Sequence, residues 1–177
     1  LQPSEADLRT HEQLAEAAAS YSEHKKFING NRKQAEILRK LSKEPYLALC
    51  AESLLKDRRQ QPSKENALLR ILAIDVLTTH AKETGDFSIL EETIHRLNQF
   101  VNRGTGQKGA AYDLSDLVFG WIKAVNPVEL YKTPELLAER LQYHKELKSH
   151  YSTALRYAFP KVYNEPEFVA KFLPVLT

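Results

Sequence analysis

From Ala67 to Leu77 the chain is apolar on nearly every side of a helix, interrupted only by Arg70 and Asp75. A helix with no solvent face must be wrapped by other elements. The stretch is too short to cross a bilayer, which takes about 20 apolar residues, so the wrapping has to come from the rest of the chain. Periodicity and capping signals supply it as further helices.

Ser4 can cap a first helix to about Ile28, with Leu14, Ala18, Tyr21 and Ile28 recurring inward and Asn29 and Gly30 as its stop. A short helix from Arg32 to about Ser42 carries Ala35, Ile37, Leu38 and Leu41 on one side, and Pro45 opens a third with Tyr46, Leu47, Cys50, Leu54 and Leu55. Ser63 caps the apolar helix, which runs to about Lys82 and is closed by Gly85. Ser88 with Glu91 forms a capping box for a helix whose Leu90, Ile94, Leu97 and Val101 follow the i, i+4, i+7, i+11 rule. Asp113 or Ser115 begins the next, with Leu114, Leu117, Val118, Trp121 and Val125 inward. Asn126-Pro127 and Thr133-Pro134 are two further cap-plus-proline starts, the second opening a long helix to about Ala158, and Asn164 with Glu167 suggests a last short one.

No strand pattern and no fixed repeat competes with this series. The expected fold is all-α, an irregular multi-helix bundle of about seven to nine helices in a single domain over residues 1–177. With 42% hydrophobic and 27% charged residues the composition is that of a folded protein. The single cysteine, Cys50, excludes an intramolecular disulfide and a Cys-rich zinc site, and makes a reducing, intracellular compartment the default. The chain opens at Leu1, contains no methionine and carries no signal-peptide pattern. It is expected to be an internal fragment of a longer protein, on the cytoplasmic side and either free or peripheral to a membrane.

Charge is distributed as a dipole that the net +2 conceals. Residues 1–24 hold five acidic and one basic side chain, and residues 25–64 hold eleven basic and four acidic. On the second helix Arg32, Arg39 and Lys43 line up opposite the apolar side, flanked by Lys33 and Lys40, with Lys25 and Lys26 before them and Arg58 and Arg59 after. Such a face attracts an acidic protein, phosphate groups or anionic lipid. The bland account is a solvated face, partly neutralised by the acidic first helix packed beside it. Nucleic acid ranks low, because only Phe27 and Tyr46 lie close enough in sequence to stack on bases and neither belongs to a recognition motif.

Other signals are weaker. Gly104 to Gly109 matches the G-x-G-x-x-G string, but a helix precedes it and no βαβ unit surrounds it, so no dinucleotide is expected. With Arg103 and Lys108 it is a basic interhelical loop and a candidate contact. Phe119, opposite Trp121 on its helix, is another. Glu92 and His95 form one Glu-x-x-His pair without the second copy a dimetal bundle needs, and Glu146 with His150 has the wrong spacing. Asp75 calls for a hydrogen-bonding partner such as Arg70 or Thr79. His144 on the long helix and Cys50 are assigned to packing. No catalytic residue, metal or cofactor is assigned. The expected function is a non-catalytic helical interaction module presenting residues 25–64 to a protein partner. The alternatives are a phosphoinositide-binding domain and a helical regulator of a small GTPase.

Overall fold

The computed structural model describes residues 5–24, 30–43, 45–55, 64–102 and 110–125, with Thr153, Arg156, 164–167 and Ala170 besides. Among these all regular structure is helical: α1 (Glu5–His24), α2 (Gly30–Leu41), α3 (Tyr46–Leu55), α4 (Lys64–Thr84), α5 (Ser88–Asn102) and α6 (Ala110–Ala124). The helices expected over 127–158 and the short one near Asn164 lie outside the fully described segments. The chain divides into two compact units, Leu1–Asp113 and Leu114–Thr177.

In the first unit α4 is the hub, packing against α1, α2, α3 and α5. This is where the all-apolar stretch finds its wrapping: Leu72, Ala73, Ile74, Val76 and Leu77 are buried. Each fully buried Leu or Val contributes roughly 1.5–3 kcal/mol relative to exposure. Ile71 departs from the expectation and remains 43% exposed, so one side of α4 does face solvent. The other helices supply single stripes, as their spacing requires: Leu14, Ala18 and Tyr21 from α1, Leu47, Cys50 and Leu54 from α3, Leu90, Ile94 and Leu97 from α5. On α2, Ala35 is exposed rather than inward; Gln34 takes the inner place and its amide donates to the Tyr21 carbonyl, 3.0 Å away.

Two helix boundaries differ from expectation. At α5 the oxygen that caps the start belongs to Asp86, not Ser88. Asp86 Oδ1 accepts from the Ser88 backbone N–H (3.0 Å) and from the Ser88 hydroxyl (2.6 Å), an Asx turn just ahead of the helix. These bonds hold the Asp86 carboxyl below its ordinary range. α6 is already helical at Ala110, ahead of Asp113: Ala110 and Ala111 are good helix formers, and a negative charge at Asp113 early in the helix suits its dipole.

Gly85 ends α4 as expected, at φ +74°, with its N–H bonded to the Ala81 carbonyl at 2.9 Å. Only the left-handed conformation matters here, since a Cβ would meet nothing within 4 Å. Gly85→Ala should therefore cost about 1 kcal/mol of stability with no change in packing, measured by urea unfolding. A loss of several kcal/mol would show that the site is sterically filled.

In the second unit the described part of α6 buries Leu114, Leu117, Val118, Trp121 and Ile122. Their spacing makes one broad apolar face.

Candidate functional site

α2 carries the candidate surface. Its first described residue, Gly30, is buried against the end of α1: a Cβ there would run into the backbone carbonyl of His24. The expected stop of the first helix at Asn29 and Gly30 falls at residues of which only Gly30 is described, and Gly30 has a steric role, its missing side chain letting α2 lie against His24. Gln34 on Tyr21 O then sets α2 antiparallel to α1, and Tyr46 of α3 donates to Gln13 Oε1 of α1 at 2.6 Å.

This docking turns the basic side of α2 outward. Arg32, Lys33, Arg39, Lys40 and Lys43 are all exposed. Arg32 and Arg39 fall at i and i+7, so their charges share one stripe of α2, with Lys43 two residues past the helix end, while Lys33 and Lys40 sit beside the stripe toward α1. Lys33 pairs with Glu36 at 3.7 Å, and both side chains remain more than half exposed, so the pair is worth little. Among the described residues no ion pair joins the carboxylates of α1 to the basic groups of α2. Packing beside the acidic helix therefore does not neutralise the face by contact.

Between α1 and α2 runs a cleft of about 270 Å³, lined by Gln13, Glu16, Ala17 and Ser20 on one wall, Ile37, Lys40 and Leu41 on the other, and Tyr46 of α3. It combines an apolar floor with one acidic and one basic rim. No single stretch of sequence signals it, because its walls come from three helices, with Ile37 and Leu41 of the apolar side of α2 meeting one flank of α1.

No known protein family, curated protein or solved structure matches this chain.

The remaining candidates separate. Lys25, Lys26, Arg58, Arg59, Arg103 and Lys108 lie outside the described residues, as do His144, Glu146 and His150. Phe119 is half-buried, and its ring lies 5.0 Å from Lys123 Nζ, a cation–π contact that partly occupies it. His95 is exposed and lies 3.3 Å from Gln99 Nε2, with Glu92 exposed one turn away.

Asp75 is satisfied, but by neither residue suggested by the sequence. Tyr21 of α1 donates its hydroxyl to Asp75 Oδ2. Arg70 cannot serve, because five residues along a helix place it on another side; its Nε lies instead 3.4 Å from Asp113 Oδ2. Burial first, then the hydrogen bond and charge of Asp75, push the Tyr21 hydroxyl above its ordinary 10.0. Burial alone pushes the Cys50 thiol from 9.0 up to about 12. A thiol so protonated at neutral pH is a poor nucleophile. Tyr21 thus ties α1 to α4, and Cys50 is part of the buried side of α3.

Proposed function

We propose that this chain is a helical interaction module whose basic α2 docks a protein partner through acidic side chains. The observation that supports it is Arg32 and Arg39 aligned on α2, with Lys43 just past its end: all three are exposed and none is in an ion pair among the described residues. Long-range attraction from such a stripe accelerates encounter and selects against basic partners. Lys25, Lys26, Arg58 and Arg59 add to the same charge in the flanking sequence. A stacking mode for nucleic acid has little to draw on, since Tyr46 is half-buried with its hydroxyl engaged by Gln13.

Two assays run together test it: capture of proteins from the source cell, and co-sedimentation with vesicles with and without phosphoinositide. Reversing these charges as Arg32→Glu, Arg39→Glu and Lys43→Glu should weaken capture of the partner at least about tenfold, with the helical fold unchanged. Vesicle binding that requires the phosphorylated head group and disappears with the same substitutions would move the function to the membrane surface. If the triple substitution alters neither, the basic stripe is not the binding surface.

A further inference from the structure

We propose that the cleft between α1 and α2 is a self-association surface, closed by the same cleft of a second copy of this chain. This goes beyond the reading above, because it uses a different side of α2. Arg32 and Arg39 each lie one residue before Lys33 and Lys40, about 100° round the helix, so the partner-binding stripe stays free when the cleft is covered.

The charges of the two rims are complementary. Along α1, Glu12, Glu16 and Glu23 fall at i, i+4 and i+11 on the exposed side that borders the cleft, with Arg9 on the same side nearer the N-terminus. Along α2 the opposite rim carries Lys33 and Lys40, with Glu36 between them. Within one chain the cleft keeps the rims apart, and no ion pair crosses it among the described residues. A second copy can bring them together.

Symmetry dictates how. A two-fold axis running along the cleft lays α1 of one copy over α2 of the other and keeps every residue at its own height along the axis. Each α1 residue then meets the α2 residue that it already faces across its own cleft. The Gln34-to-Tyr21 hydrogen bond sets that register. It places Glu16 of one copy against Lys40 of the other, and Glu23 against Lys33, each pair formed twice. The result is isologous. α1 is then antiparallel to both copies of α2, the arrangement of an up-down four-helix bundle, in which neighbouring helix dipoles oppose one another. Ala17, Ile37 and Tyr46, each half-buried, give the interface an apolar centre, so the charges set the register over a floor that gains from losing water. A two-fold axis across the cleft would stack α1 on α1 and α2 on α2, with like charges opposed, and is disfavoured for that reason.

Sedimentation of the intact chain tests the proposal, using the protein itself as probe. At about 100 µM it should be dimeric in about 0.05 M salt, with the dissociation constant rising about tenfold or more toward 0.5 M as the rims are screened. The variant Glu16→Lys/Glu23→Lys and the variant Lys33→Glu/Lys40→Glu should each be monomeric at low salt, since each opposes like charges. All four positions are exposed, so helicity by circular dichroism should be unchanged. Mixed in equal amounts, the two variants should form a heterodimer, because each then offers the charge the other lacks. A wild-type chain that stays monomeric at low salt, a dimer indifferent to both double substitutions, or a mixture that does not recombine would each overturn the proposal. None of those outcomes touches the surface of Arg32, Arg39 and Lys43, which the capture assay tests separately.

Discussion

Between pH 9 and pH 12 the folded chain should lose stability steeply, and Cys50 should account for a separable share of the loss. Its thiol is fully buried in α3 and titrates near 12 rather than at the ordinary 9.0. In that window the unfolded chain has released the thiol proton while the folded chain still holds it. The unfolded state therefore binds fewer protons, and unfolding becomes more favourable as pH rises. Stability from this source is complete below pH 9 and falls by about 1.4 kcal/mol per pH unit above it. Tyr21 acts in the same direction from its ordinary 10.0 upward, because its hydroxyl is also raised in the fold. Urea unfolding across the window should give a clearly shallower slope for Cys50→Ala than for the wild type, and Tyr21→Phe should flatten the upper part. Equal slopes for wild type and Cys50→Ala would mean that the thiol is not buried as described. A thiol reagent gives an independent check, since it should modify Cys50 only as the chain unfolds.

Replacing Gly30 with alanine should cost about 2–3 kcal/mol, the upper part of the roughly 1–3 kcal/mol typical of forcing an extra group into a filled site. The added Cβ meets the His24 backbone carbonyl, and a carbonyl at the end of a helix cannot swing aside as a flexible side chain would. Relief requires α2 to shift away from α1, at the expense of the Gln34 bond to Tyr21 O and of the cleft walls. Against the 5–15 kcal/mol of a typical domain this is a large fraction. Denaturant unfolding of Gly30→Ala beside Gly85→Ala separates two mechanisms: crowding at the first, left-handed backbone at the second. A loss of only a few tenths of a kcal/mol at Gly30 would show that the two helices do not approach so closely in solution.

Gly30 also shows why part of this structure could not be anticipated. A glycine after Asn29 is an ordinary helix stop, and the sequence offers no sign that a neighbouring carbonyl forbids a side chain there. Asp75 is a similar case. That a carboxylate in an apolar helix needs a partner follows from its desolvation alone. That the partner is Tyr21, 54 residues away, depends on α1 lying across α4. The cap of α5 differed because Asp86 and Ser88 are both good capping residues two positions apart, and only the backbone geometry selects between them.

The all-helical character of the described residues, the inward stripes of α1, α3 and α5, the central place of Ala67 to Leu77 and the outward basic side of α2 were all determined by the sequence alone. Each rests on periodicity and local capping, which operate within a few residues of one another. The tertiary structure alone decided which helices meet, that the acidic and basic helices lie antiparallel with no ion pair between them among the described residues, and that a cleft opens between them. The physical reason is range. Helix formation is settled by neighbours along the chain, whereas a cleft or a Tyr–Asp bond exists only where packing brings distant residues within a few ångströms.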